Sequence, residues 1–85
     1  MITRETVAEK IGAYLRHNVS LSQLVDWAEN VVMEGEFAES DAAMLSRVVA
    51  RLGVADVRAF GLTWEDCEGL LRQLGYAAKV ELTPA

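Results

Sequence analysis

Apolar residues recur along most of the chain at the three- and four-residue spacing of helices that bury one face. Val7, Ile11, Tyr14 and Leu15 make the first stripe. Thr3 precedes it as a capping residue, and Ile2 and Val7 are spaced as a hydrophobic staple, so a helix is predicted over about 4–17. The next start is the capping box of Ser20 and Gln23, with Val19 and Leu24 as its staple. Leu21, Leu24, Val25, Ala28, Val31 and Val32 then line one face until Gly35, where a left-handed residue is expected to end a helix over 21–34. A third helix, 41–52, starts near Ser40 or Asp41, carries Leu45, Val48, Val49 and Leu52, and stops at Gly53. Arg47 and Arg51 near its end oppose the negative pole of the helix dipole. Val57 and Phe60 suggest a short helical turn over 56–60. Thr63 with Asp66 forms a further box, flanked by Leu62 and Cys67, and opens a helix over 64–74 that buries Cys67, Leu70, Leu71 and Leu74 and closes at Gly75.

After Gly75 the period changes. Tyr76, Ala78, Val80 and Leu82 alternate with Ala77, Lys79, Glu81 and Thr83, the pattern of a half-buried strand over 76–82. No earlier segment reads as its partner, and an unpaired edge invites another chain. A second copy of the segment, antiparallel about a two-fold axis, would be self-complementary, with Lys79 facing Glu81 across the pair. The tail could instead lie along its own helices or receive a strand from a different protein. The fold class expected is mainly α: one domain over 1–85, a compact bundle of three to four helices plus a short helical turn, ending in a strand-like segment.

With 85 residues, 52% of them hydrophobic, the core must be efficient, because folding of so short a chain hides only about 60 to 65% of its unfolded surface. No apolar run approaches the roughly 18 residues of a membrane span, and the first ten residues lack the pattern of a secretory signal. Cys67 is the sole cysteine, which excludes an internal disulfide, and His17 is the sole histidine, which leaves a zinc cage short of ligands. The chain reads as a cytoplasmic protein with no metal and no cofactor.

Charge changes the picture more than composition. The net charge is −5, yet between His17 and Ser46 there is no Lys or Arg, while Asp26, Glu29, Glu34, Glu36, Glu39 and Asp41 all fall there. A field of that sign repels phosphate backbones and attracts basic surfaces, so nucleic acid is excluded as a direct partner and a basic protein is favoured. Solubility alone is the plainer purpose of such a surface. The run "EGEFAESD" lacks the alternating ligands, glycine and distal Glu of a calcium loop.

Trp27 lies at the edge of the second stripe beside Asp26, placed either to pack in the core or to anchor a partner at the acidic face. Trp64, first in its helix, is expected to cover the end of the bundle. Cys67 sits near a helix start, where the dipole lowers a thiol pKa, but Glu65, Asp66 and Glu68 oppose a thiolate and burial is the usual fate of a lone cysteine. His17, near the end of the first helix, has no partner residues at catalytic spacing. No catalytic residue is assigned, and the chain is not read as an enzyme.

The text "LGVADVRAFGLTWEDCEGLLRQLGY" together with "NVSLSQLVDWAE" resembles a family of small uncharacterised bacterial proteins of about this length, a resemblance that covers most of the chain and implies no activity. More distantly, "KIGAYLRHNVSLSQLVDWAENVVMEGEF" is similar in layout to the opening of colicin D-type immunity proteins, over about a third of the chain. That likeness implies a small helical bundle that holds a basic nuclease domain on an acidic surface, and the terminal strand departs from it. The leading expectation is a non-enzymatic interaction protein, an inhibitor or immunity-like factor, that binds a basic partner through Asp26, Trp27, Glu29, Glu34, Glu36, Glu39 and Asp41. The alternatives are a structural or adaptor homodimer joined through Tyr76, Ala78, Val80 and Leu82, and a small ligand-binding domain.

Overall fold

The structure is a computed structural model that describes residues 1–58, 60–79, Leu82 and Pro84. Four helices follow one another: α1 (Arg4–Leu15), α2 (Leu21–Glu34), α3 (Ala42–Gly53) and α4 (Trp64–Gln73). Three of them start on reciprocal side-chain caps. Ser20 accepts from the Gln23 N–H while Gln23 accepts from the Ser20 N–H, and Thr63 and Asp66 do the same. At α1 the reciprocal partner of Thr3 is Thr6, whose hydroxyl substitutes for the usual Glu or Gln. α3 is the exception: Asp41 occupies its N-cap position but makes no capping bond.

The helix ends depart from expectation in two places. α1 stops at Leu15, because His17 takes the left-handed conformation (φ 63°). The His17 N–H then reaches the Tyr14 carbonyl, and the Asn18 N–H reaches that of Ala13, which closes the last turn. Gly35 ends α2 without turning left-handed; its φ is −77° and the chain leaves extended. A glycine is needed there for room, since a Cβ would lie 2.7 Å from the Val31 carbonyl oxygen. At Gly75 the left-handed ending does occur (φ 91°), with the Tyr76 N–H bonded to Leu71 O and the Gly75 N–H to Arg72 O.

α2 and α3 are the most closely paired helices, and α1 packs on α2, α3 and α4 in turn. Val7, Ile11, Leu24, Ala28, Leu45, Val49, Leu52, Cys67 and Leu74 meet between them, and among the described residues no polar or charged residue is buried. Among the described residues of 56–60 there are successive turns in place of a regular helix, with one helical-type bond from the Gly61 N–H to Val57 O. Arg51 holds this segment to α4 by donating to the Gly61 carbonyl at 3.0 Å and to the Asp66 carboxylate at 3.3 Å.

Among the described residues of 76–82 the expected strand is not found. No residue among those described in this segment is paired as a strand. Its start is taken by the closure of α4, in which Tyr76 is the residue after the left-handed glycine. Of the side chains expected to cover the helices, Ala78 packs against the core, Tyr76 and Leu82 are exposed, and Val80 lies outside the described residues. Among the described residues the one β contact is elsewhere: Ile2 and Phe37 form an isolated parallel bridge.

Candidate functional site

The acidic residues between His17 and Ser46 are distributed over α2 and the connection that follows it, and the fold treats them unequally. Asp26, Glu29, Glu34, Glu36 and Glu39 are exposed. Among the described residues none of these five is in an ion pair. Asp41 is different. Its carboxylate accepts from Arg4 Nη2 at 2.8 Å, which holds its pKa below the ordinary carboxylate range, and it is only about one-fifth exposed. The pairing diverts it from capping α3 and removes one negative charge from the surface.

Successive helix residues turn by about 100°, so Asp26, Glu29 and Met33 fall within roughly 60° of one another on the outer side of α2. Glu34 stands about 80° further round from Asp26, beside the turn that carries Glu36. Glu29 lies against α3, its Cγ 4.0 Å from where a Cβ at Gly53 would be. Trp27 points elsewhere. It is partly buried against the core, and Lys10 of α1 sits over its ring at 5.7 Å from the centroid, so the indole joins α2 to α1.

The connection from Gly35 to Asp41 is tethered on both sides. The Ile2 N–H donates to Glu36 O at 2.6 Å, and the Ala38 N–H donates to Ile2 O at 2.8 Å. Phe37 and Ala38 turn inward onto the core, leaving Glu36 and Glu39 outward. Arg4 then fixes Asp41 at the far end. The charges are thus carried on a fixed backbone.

Two apolar residues on this surface were not assigned to it from sequence. Val32 is 54% exposed and Met33 81%. Periodicity puts Met33 off the buried stripe, so its exposure was legible. Val32 continues the stripe in register, but it falls in the last turn of α2, at the margin of the core.

The remaining candidates have structural surroundings. Cys67 is fully buried, and burial, aided by the charge of Asp66, pushes its thiol up to about 11. His17 is exposed at the left-handed turn. Trp64 is part-exposed at the start of α4. Among the described residues no three His, Cys, Asp or Glu side chains converge as metal ligands, and no helix is long and apolar enough to cross a membrane. Comparison with protein-family models, with curated proteins and with solved structures returns no match.

Proposed function

We propose that this chain is a non-enzymatic binding protein that holds a basic protein partner on the outer side of α2 and the tethered connection after it. The observation that carries the reading is the set of five exposed carboxylates, Asp26, Glu29, Glu34, Glu36 and Glu39, that find no cation of their own chain among the described residues. Unpaired like charges raise the energy of the free protein and are relieved when a basic surface docks, and their long-range field speeds the encounter. Val32 and Met33 add apolar area that charge alone does not supply, and a thioether side chain adapts to irregular surfaces. The tethered backbone lowers the ordering cost of binding. An inhibitor or immunity-like role is the specific form of this reading, in which the partner is a basic enzyme whose working surface is covered.

The test is capture from native cytosol with the wild-type chain and with a Glu29→Lys, Glu34→Lys, Glu36→Lys triple variant, at low and raised salt. A basic protein retained by the wild type, released as salt rises and lost on the variant supports the reading. A partner held equally well by both proteins at all salt concentrations overturns it, because exposed charges are screened beyond roughly 8 to 10 Å at ordinary ionic strength.

A further inference from the structure

The connection from α2 to α3 has two backbone edges, and the fold uses one of them. In a parallel bridge, a residue that bonds to both neighbours of its partner leaves the partner's own N–H and C=O facing the opposite way. Ile2 donates to Glu36 O and accepts from the Ala38 N–H, so the N–H and C=O of Phe37 point away from Ile2, to the outer side of the connection. Among the described residues neither group has a hydrogen-bond partner. The chain enters this stretch extended at Gly35 (ψ 150°) and leaves it extended at Ala38 (ψ 125°). The Phe37 side chain is packed against the core, which fixes the direction of its free groups. A donor and an acceptor unpaired side by side on an extended backbone are a template for another extended chain.

The side chains flanking this edge carry one sign of charge. Glu34, Glu36 and Glu39 are exposed and, among the described residues, in no ion pair, while Arg4, the cation held at this connection, is already taken by Asp41. A second copy of the same edge would bring like charges together across the pair, which repel. A helix has its own backbone bonded internally and would leave the Phe37 groups unmet. An extended segment with basic side chains satisfies both the backbone and the charge.

We infer that the partner of the acidic surface presents an extended basic segment, which adds as a strand to the free edge at Phe37. The inference rests on the binding surface proposed above and names the mode in which it is used. One residue of the incoming segment lies opposite Phe37, donating its N–H to Phe37 O and accepting from the Phe37 N–H through its C=O. Its side chain falls on the same face as that of Phe37, toward the core, and is apolar. Its two neighbours project to the other face, where Glu36 stands, so Lys or Arg on either side meets carboxylate. The pattern recognised is basic, apolar, basic.

The probe is the peptide acetyl-Lys-Thr-Lys-Val-Lys-Thr-Lys-amide, titrated into the full chain beside the same peptide N-methylated at its valine and beside spermine, a polyamine of the same charge with no peptide backbone. Nitrogen–proton correlation spectra report amide shifts and hydrogen exchange. In the free chain the Phe37 amide is expected to exchange faster than that of Ala38, which is bonded to Ile2. The parent peptide is expected to shift both amides saturably and to slow exchange at Phe37. The N-methylated peptide is expected to bind at least about five-fold more weakly, the worth of one hydrogen bond. A Glu36→Gln, Glu39→Gln variant should weaken the peptide and spermine alike. If parent and N-methylated peptides bind equally, or if only the Asp26 and Glu29 amides of α2 respond, strand addition is overturned while the acidic surface keeps its basic partner. If no basic probe binds, or binding ignores both salt and the double variant, the surface itself fails and this inference falls with it.

Discussion

Ile2 and Phe37, 35 residues apart, lie side by side in parallel, with the Ile2 N–H bonded to Glu36 O at 2.6 Å and Ile2 O receiving the Ala38 N–H at 2.8 Å. The start of the chain thereby fastens the connection that bears Glu36 and Glu39, and Arg4, two residues on, fastens Asp41. The acidic surface is shaped by residues near the start of the chain that carry none of its carboxylates.

Ile2→Pro removes the N–H that Glu36 accepts. The expected loss is about 1 kcal/mol, the usual net value of a hydrogen bond, with faster amide exchange concentrated at Ala38 and its neighbours and α4 little changed. Urea denaturation and residue-resolved hydrogen exchange read the two effects. Uniform loss of protection would contradict a local tether.

Asp41 and Asp66 are both held below the ordinary carboxylate range, Asp41 first by the hydrogen bond from Arg4 and Asp66 first by the bond from the Thr63 N–H. Groups whose folded pKa is depressed contribute stability above their unfolded value of about 4 and lose it as pH falls through the folded value. The wild type should therefore lose stability on acidification below about pH 4 more steeply than an Asp41→Asn, Asp66→Asn double variant. Stability curves from pH 7 down to pH 2 make the comparison.

His17→Gly should stabilise the protein by roughly 0.5 to 1 kcal/mol. A left-handed residue with a Cβ costs about 1 to 2 kcal/mol, and the greater freedom of glycine in the unfolded chain returns part of the gain. His17→Ala keeps the Cβ and should bring no such gain. A melting temperature that moves equally in both variants would show that the backbone conformation is not the cause.

Two glycine substitutions should have opposite signs. At Gly35 a methyl meets the Val31 carbonyl and its Cγ1, so Gly35→Ala should cost about 1 to 3 kcal/mol by overpacking. At Gly69, inside α4, nothing stands within 4 Å, and Gly69→Ala should add about 0.5 to 1 kcal/mol through helix propensity. Chemical denaturation of the pair gives both signs.

The Cys67 thiol, buried and raised to about 11, should react with an alkylating reagent at neutral pH far more slowly in the folded protein than in urea. Cys67→Ala should cost on the order of 1 kcal/mol through lost packing. Rapid labelling of the native chain would require an opening of α4 that its packing does not suggest.

The four helices, their starts and most of their buried faces were legible from the chain, because each depends on residues within one or two turns. Ser20 with Gln23 and Thr63 with Asp66 are three residues apart, and their bonds form wherever the helix forms. The stripes of Leu24, Val25, Ala28 and Val31, and of Leu45, Val48, Val49 and Leu52, carry their periodicity in the sequence itself. Residue type was a poorer guide to the helix ends. Gly75 turns left-handed, but Gly35 does not, and His17 does so without being a glycine, since packing of the outgoing chain decides the backbone there.

What only the tertiary structure decided was every relationship between residues far apart in sequence. A seven-residue alternation such as Tyr76 to Leu82 is compatible with a strand and equally with an extended segment, and closure of α4 through Leu71 and Tyr76 claimed its first residue. Among the described residues the only β contact involves Ile2 and Phe37, neither within a run long enough to show a period. Asp41 could be counted as an acidic residue but not recognised as the partner of Arg4, 37 positions away. Net charge and local pattern are properties of the chain as written. Pairing and exposure depend on which helices meet, and those contacts exist only once the chain has closed on itself.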